Sequence, residues 1–231
     1  MSEIIASLNK MSKAFPTGEG DFVALKNITL DFARGEFTGI VGPSGSGKTT
    51  LLNIIGSLDV PTSGEATVLG RSVGKLNPRQ SAELRSRHIG FIFQTYNLLP
   101  VYTVFENVEF PLLLLKMSKE ERKKAVLDAL TWVGLMDKIK SRPAQLSGGQ
   151  CQRVAIARAM VKKPDLVLAD EPTANLDTEN SLHILTTMQN LNKELGTTFI
   201  FSTHDDKVIN FLQRIVKLID GEVASDTTTG I

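Results

Sequence analysis

Residues 42–50 read GPSGSGKTT and are suited to holding phosphate groups. They match the phosphate-binding pattern G-x-x-x-x-G-K-[ST] at every fixed position. The pattern needs glycine because the backbone curls tightly with its N–H groups pointing inward, and a Cβ would obstruct that path. A Gly/Ser loop that only joins a strand to a helix is the alternative. We expect the whole segment to bind a nucleoside triphosphate: Gly42, Pro43, Ser44, Gly45, Ser46, Gly47, Lys48, Thr49 and Thr50.

Two acids end the apolar run 166–169. Beside a phosphate loop, such a strand brings Asp170 to a Mg²⁺ ion and Glu171 to the water that attacks the γ-phosphate. Lys48 then bridges the β- and γ-phosphates, and the hydroxyl of Thr49 is a second Mg²⁺ ligand. Without the phosphate loop, the two acids before Pro172 could simply mark a solvated strand edge.

A second anion-receptive segment is LSGGQ at 146–150, which precedes a predicted helix over 151–162. Two glycines behind a serine leave backbone N–H groups open at the helix start. One triphosphate does not need two such sites, so we expect the second to close on a nucleotide held by another copy of the chain. A serine cap with glycines for close packing is the alternative. The expected contacts are Ser147, Gly148, Gly149 and Gln150.

Three further residues are of interest for nucleotide chemistry. Gln94 and His204 follow predicted strands at 89–93 and 198–202. The carboxyl ends of parallel strands are where ligands bind in α/β proteins. Phe15 could stack on a purine, although a phenylalanine is more often part of a core.

The pattern of strands and helices predicts an α/β fold. Segments 3–8 and 22–32 read as antiparallel strands, and the later apolar runs suit a parallel sheet covered on both faces. The strand signal is absent between 94 and 164, where a helical subdomain is expected. Asp220-Gly221 predicts a hairpin, and the residues after Asp226 are expected to fray.

Composition narrows the function classes. The chain has 26 basic and 25 acidic residues, so it has no broad electrostatic footprint for nucleic acid. The single cysteine, Cys151, excludes an intrachain disulfide and fits a reducing compartment. No apolar run approaches the ~20 residues that span a bilayer, and the first ten residues lack a secretory signal.

The order of GPSGSGKT, Gln94, LSGGQ, VLADE, NLD at 175–177 and His204 resembles the ATPase of ATP-binding-cassette (ABC) transporters. The resemblance implies a P-loop NTPase core with a mainly parallel sheet, an antiparallel β subdomain and an inserted α-helical subdomain. It places the RecA-like core and β subdomain in 1–94 and 164–231, and the helical subdomain in 95–163, within one domain of 231 residues.

The resemblance also implies a head-to-tail homodimer that sandwiches two ATP with Mg²⁺. It assigns Gln94 to Mg²⁺ and to sensing the membrane subunit, Glu171 to general-base catalysis and His204 to the γ-phosphate. Asp177 is assigned to the loop across the dimer, and Phe15 to the adenine.

Segments 51–56, 61–64, 89–94 and 97–100 are similar to the lipoprotein-releasing and macrolide-exporter branch of that family. Two positions depart from the family pattern: Cys151 stands where glutamine or glutamate is usual, and Thr49 replaces the commoner serine. The resemblance implies ATP-driven export or extraction of a lipoprotein, a peptide or a drug-like molecule. The alternative is a nucleotide-gated scaffold of the cell-division type. A DNA-repair or translation ATPase is disfavoured by the neutral charge.

Because the macrolide exporter fuses its ATPase to membrane helices and this chain has none, we expect a separate membrane subunit. The apolar and aromatic stretch from Gln94 to Leu115 is its expected docking surface, with helical-subdomain core as the alternative reading. The chain is then expected to lie at the cytoplasmic face of the cell membrane, held there by its partner.

Overall fold

The computed structural model describes residues 3–18, 20–204 and 206–229. It divides into two compact units, one of residues up to Arg85 with those from Thr198 onward, the other of Ser86–Thr197. These limits differ from the predicted helical insertion at 95–163, and that division into subdomains stays a prediction.

The strands are β1 (Ile4–Thr17), β2 (Gly20–Ala33), β3 (Phe37–Val41), β4 (Ser63–Val68), β5 (Arg71–Ser72), β6 (Ile89–Ile92), β7 (Leu166–Asp170), β8 (Thr198–Thr203), β9 (Arg214–Ile219) and β10 (Glu222–Thr228). The helices are α1 (Lys48–Ile55), α2 (Pro78–His88), α3 (Val104–Glu109), α4 (Lys119–Trp132), α5 (Gly148–Met160), α6 (Thr178–Leu195) and α7 (Asp206–Ile209).

The first unit contains an antiparallel sheet in the order β2-β1-β4-β5. Strands β1 and β2 pair antiparallel, as predicted, but β1 is longer than the predicted 3–8. Register shifts interrupt the pairing between Leu8 and Lys13, and Lys10 and Asn27 adopt positive φ angles of 48°. A bulge breaks the two-residue alternation by which a strand is recognised in a sequence. For this reason the sequence predicts only the first part of β1.

The same unit contains β3, the strand that leads into the phosphate loop. Strand β3 is fully buried and pairs in parallel with β8 on one side and β9 on the other. Rings of Phe37, Phe199 and Phe201 pack with centroids 4.5–5.9 Å apart. The predicted parallel strands are therefore present, and aromatic rings from β3 and β8 pack against each other.

The hairpin of β9 and β10 forms at the predicted Asp220-Gly221 turn, where both residues have positive φ. The expectation that the chain frays after Asp226 was wrong for the part described, because Thr227 and Thr228 still pair with β9. Arg214 explains the difference. Its Nε and Nη2 donate 2.8 and 2.7 Å hydrogen bonds to the carboxylate of Asp226 and hold the end of the hairpin.

The second unit combines a pair of parallel strands, β6 and β7, with helices α3 to α6. Helices α3, α4 and α5 each begin with a reciprocal capping box, at Thr103, Ser118 and Ser147. Such boxes satisfy two of the free N–H groups at a helix start. The box of Ser118 is made with Glu121, and the buried face of this segment consists of Val126, Ala129, Leu130 and Val133.

Candidate functional site

The phosphate loop runs from the end of β3 into α1 in the first unit. Gly45 and Gly47 have φ angles of 80° and 99°, which L side chains rarely adopt. A Cβ on Gly47 would lie 2.7 Å from the carbonyl oxygen of Ala24, and one on Gly42 would lie 2.1 Å from that of Leu218. Glycine is therefore required at position 47 by both backbone conformation and space, at 42 by space and at 45 by conformation.

The side chain of Lys48 turns back into the phosphate loop. This side chain is largely buried, and its Nζ donates 2.8 and 3.0 Å hydrogen bonds to the carbonyl oxygens of Gly42 and Pro43. Helix α1 begins at Lys48 with no side-chain cap and no acid in its first turn. The positive end of the helix is thus left for an anion. The buried hydroxyl oxygen of Ser46 has no hydrogen-bond partner, which also fits a loop built around a polar ligand.

His204 leaves the sheet at the same edge as the phosphate loop. Thr203, the last residue of β8, pairs with Val41, the last residue of β3, so His204 and Gly42 follow neighbouring strand ends. His204 is exposed, and so is Thr49. Both side chains therefore lie at the surface of the first unit.

Phe15 lies on β1 and is 37% exposed, so it is not the core residue that the alternative reading favoured. The Nζ of Lys13 lies 4.9 Å from the centre of its ring. Lys13 is itself held by Asp59 and the carbonyl oxygen of Val60, at 2.6 and 2.9 Å. A cation over one face of an aromatic ring fixes its orientation and leaves the other face for a planar partner.

In the second unit, β6 and β7 end side by side. Ile92 pairs with Ala169, so Gln94 and the acids Asp170 and Glu171 follow at one edge. Glu171 has a φ of 48°, an uncommon conformation for a residue with a side chain. The carboxyl edge of this strand pair therefore gathers three of the four residues predicted for Mg²⁺ and for the base, and the fourth, Thr49, belongs to the first unit.

The LSGGQ segment forms the start of α5. The Ser147 hydroxyl oxygen accepts from the Gln150 N–H, and the Gln150 side chain accepts from the Ser147 N–H, at 3.3 and 2.9 Å. A Cβ on Gly149 would lie 2.4 Å from the Asn180 side chain, and one on Gly148 would lie 3.0 Å from the Tyr96 hydroxyl. The cap and close packing proposed as the alternative are therefore both real, and Ser147 and Gly148 remain exposed for a second role.

Asp177 is the N-cap of α6. One carboxylate oxygen accepts from the Asn180 backbone N–H and the other from its side-chain amide, both at 2.8 Å. The hydrogen bonds from the Asn180 backbone and then from its side chain hold the pKa of Asp177 below its usual value. Since Asn180 also packs on Gly149, the Asp177 turn and the LSGGQ segment form one cluster.

Comparison with known proteins identifies the family. The family model for ABC transporters matches residues 25–174, which include both glycine-rich segments and both acids. The chain belongs to the ABC transporter family.

Relatives of this ABC protein extend over almost its whole length. It is 42% identical to the lipoprotein-releasing system ATP-binding protein LolD of Francisella tularensis over 224 residues, covering 96% of this chain and 97% of LolD. It is 45% identical to the macrolide export ATP-binding/permease protein MacB of Pectobacterium atrosepticum over 229 residues, 99% of this chain. The chain spans only 35% of the length of that MacB.

Solved structures agree. The dimeric post-hydrolysis state of the ATP-binding cassette MJ0796, bound to ADP and Pi, matches with a TM-score of 0.89 and 43% identity, covering 98% of this chain and all of that one. The predicted ABC ATPase fold is thereby confirmed, and so is the prediction that this chain is an ABC ATPase. It is an ATP-binding subunit of the LolD and MacB type.

The ABC chain also contains site-supporting residues that the sequence did not reveal. Asn175 donates from Nδ2 to the carbonyl oxygen of Gln94 at 2.9 Å, and Gln152 donates from Nε2 to that of Pro172 at 2.6 Å. Arg158 donates to the carbonyl oxygens of Tyr96 and Asn97 at 2.6 and 2.5 Å. These partners are 20 to 81 residues apart in sequence, and only the fold brings them together.

The expected docking stretch of the ABC subunit divides into two parts. Val104, Val108 and Leu112 are buried in the second unit, as the core alternative required. Five large apolar side chains are exposed instead: Val101, Tyr102, Phe110, Leu113 and Leu114, at 39–73%. The core reading therefore holds for the buried side chains, and the docking reading stays a prediction for the exposed ones. Among the described residues, no helix has the length and apolarity to cross a bilayer.

Proposed function

We propose that this ATPase binds ATP between two copies of the chain and uses its hydrolysis to drive a separate membrane subunit. The observation that carries the proposal is the phosphate loop around Lys48. It combines required glycines, a helix start without a side-chain cap and a buried Ser46 hydroxyl without a hydrogen-bond partner. A second glycine-bearing helix start at Ser147 supports the two-copy arrangement, because it gives each nucleotide another set of N–H donors. The dimeric state of MJ0796 supports it as well.

In this proposal ATP is held by Gly42–Thr50 of one copy and by Ser147–Gln150 of the other. Phe15 stacks on the adenine, and Asp177 contacts the loop across the dimer. Glu171 accepts a proton from the attacking water, while Lys48, His204 and Ser147 stabilise the charge that develops on the γ-phosphate. Hydrolysis then reopens the dimer.

Thr49, Gln94 and Asp170 are the proposed ligands of Mg²⁺. A hydroxyl, an amide carbonyl and a carboxylate are the oxygen donors that Mg²⁺ prefers, and the ion usually completes its shell with water and substrate phosphates. The described part of the chain has no cluster of three or more His, Cys, Asp or Glu side chains that could hold a metal ion. Bound Mg²⁺ supplies charge stabilisation at the β- and γ-phosphates.

The membrane partner is proposed to dock on the exposed apolar side chains around Leu114, close in sequence to Gln94. That attachment places the chain at the cytoplasmic face of the cell membrane. By similarity to LolD and MacB, the cargo is a lipoprotein, a peptide or a drug-like molecule, moved outward or extracted from the membrane.

Co-purification tests the proposal. A tagged Glu171→Gln chain is purified with ATP from detergent-solubilised membranes of the native host, and the proteins that follow it are identified by mass spectrometry. We expect a four-helix membrane subunit with a large outer domain. If that domain binds a cell-wall hydrolase instead of cargo, the cell-division type of scaffold is correct, and recovery of ribosomal or DNA-bound proteins in place of a membrane subunit would refute the transporter.

A further inference from the structure

Gln152 on α5 is a fully buried side chain with an unusual pattern of hydrogen bonds. Its Nε2 donates a 2.6 Å hydrogen bond to the carbonyl oxygen of Pro172, while its Oε1 is buried without any partner. Leaving Oε1 unsatisfied is unfavourable, but the Nε2 bond satisfies a carbonyl that an apolar residue would leave without a donor. The bond to Pro172 is therefore the contact that a glutamine supplies at this position.

The bond ends next to the proposed catalytic base. Glu171 directly precedes Pro172 and has a φ of 48°, which a non-glycine residue holds only when its surroundings impose it. A residue before proline is also biased toward extended conformations. The carbonyl of Glu171 accepts from the Ala174 N–H at 3.2 Å, which closes a tight turn.

Pro172 can be held through its backbone at one group only. Pro172 has no backbone N–H, so its carbonyl is its sole backbone hydrogen-bonding group. Gln152 occupies that carbonyl from another element of the second unit. The geometry thus connects α5 to the backbone that sets the position of the Glu171 carboxylate.

We infer that Gln152 is a positioning residue that couples the LSGGQ end of α5 to the catalytic base Glu171. Gln152 lies five residues after Ser147, about 7.5 Å along the same helix. A nucleotide that pulls on Ser147 therefore moves the amide that holds Pro172. The inference rests on the proposed function, since it takes Glu171 as the base and Ser147 as a nucleotide contact.

The first test replaces Gln152 by methionine, which keeps the shape but not the hydrogen bond. We expect kcat to fall about 10- to 100-fold with the KM for ATP little changed, because a displaced base weakens the chemical step and not binding. The matched control is Asn192→Leu. Asn192 is also buried and donates from Nδ2 to a backbone carbonyl, that of Thr197, at 2.7 Å.

The control removes the same kind of bond at the opposite end of β7. The Thr197 hydroxyl donates to the carbonyl oxygen of Pro164, two residues before that strand begins. Pro172 follows the other end, about 16 Å away along five residues. Both variants are expected to lower the thermal midpoint by about 5 °C, and only Gln152→Met is expected to lower kcat.

A Glu171→Gln background separates the inference from the proposed function. If Gln152 acts through Glu171, adding Gln152→Met to Glu171→Gln lowers the residual turnover no further. A further fall, or equal kcat losses in Gln152→Met and Asn192→Leu, would overturn the inference while leaving the ATPase site standing. Normal turnover of Glu171→Gln alone would instead refute the assigned base.

A second variant, Gln152→Glu, tests the inference through the pH dependence of kcat, which a purely structural role of Gln152 would not change. In Gln152→Glu, an ionised carboxylate cannot donate to Pro172, whereas a protonated one can, and burial raises its pKa. We expect the kcat of Gln152→Glu relative to the unsubstituted chain to rise as the pH falls from about 8 to about 6. A ratio that is constant over this range contradicts the inference.

Discussion

The side-chain amide of Asn175 donates from Nδ2 to the backbone carbonyl of Gln94 at 2.9 Å, across 81 residues of sequence. Asn175 lies four residues after the proposed base, and Gln94 leads into the stretch with the exposed apolar side chains. The bond therefore joins the turn after the proposed base to the start of the proposed docking stretch.

Asn175→Ala should uncouple the membrane partner from hydrolysis. We expect stimulation of turnover by the membrane subunit to fall about fivefold or more, the size of a typical coupling energy, while basal turnover changes less. ATPase rates with and without the partner in proteoliposomes measure this. Asn190→Ala, at an exposed position on α6, is the control and should keep full stimulation. Equal losses of basal and stimulated rates would contradict the coupling role.

Two alanine substitutions in the phosphate loop should differ in effect. Gly47→Ala places a Cβ 2.7 Å from the Ala24 carbonyl oxygen at a φ of 99°, whereas Gly45→Ala meets no atom within 4 Å at a φ of 80°. Both changes strain the backbone, but only the first adds a clash with main chain. We expect Gly47→Ala to weaken ATP binding by at least about 10-fold more than Gly45→Ala. Fluorescent ATP titration measures both, and similar affinities would refute the packing argument.

Glu171→Gln should separate binding from catalysis. The amide keeps the size of the side chain but cannot accept the proton of the attacking water, so turnover should fall ~10²-fold or more. ATP affinity should stay within a few-fold, and an ATP-dependent dimer should accumulate in size-exclusion chromatography. The conservative variant Glu171→Asp serves as a comparison and should retain more activity than the amide. Turnover of Glu171→Gln near that of the unsubstituted chain would exclude the assigned role.

Phe15→Ala should weaken ATP binding through loss of stacking, which is worth about 1–3 kcal/mol per base. The dissociation constant is then expected to rise about 5- to 100-fold. Phe22 is the matched control, since it pairs with Phe15 across the β1–β2 hairpin and is 58% exposed. Calorimetric titration of both alanine variants measures the difference, and an equal effect would show that Phe15 has no special contact with the base.

Lys162 gives a pH dependence to stability. Burial lowers its pKa to about 8, against about 10.4 in an unfolded chain. Between these values the unfolded state binds more protons than the folded one, so stability rises with pH there by up to about 3 kcal/mol. Below pH 8 both states carry the proton and the contribution is constant.

Lys162→Met should remove this contribution to the pH dependence of stability. The free energy of unfolding of the unsubstituted chain, measured with urea between about pH 8 and pH 10, should therefore rise relative to that of Lys162→Met. Lys140→Met, at an exposed position, should follow the unsubstituted chain. Parallel curves for Lys162→Met and the unsubstituted chain would show that Lys162 does not titrate in this window.

Local features of the fold could be predicted from the sequence because they depend on neighbouring residues. The glycines at 42 and 47, the Ser118 capping box and the Asp220-Gly221 turn each need only a few adjacent positions, and all are present. Helix α6 was not predicted from the sequence, although Asp177 caps its start and its end is capped by Gly196, which has a φ of 65°. Its asparagines and β-branched residues weaken the helical signal, and tertiary packing supplies the difference.

The sequence by itself determined that this chain binds phosphate and belongs with ABC ATPases, because the spacing within GPSGSGKTT and LSGGQ is a property of the local backbone. The tertiary structure alone decided what supports those segments. Gln152 on Pro172, Asn175 on Gln94 and Arg158 on Tyr96 join residues 20 to 81 positions apart. No local pattern encodes such contacts, since they arise only when separate elements pack and a buried carbonyl requires a donor.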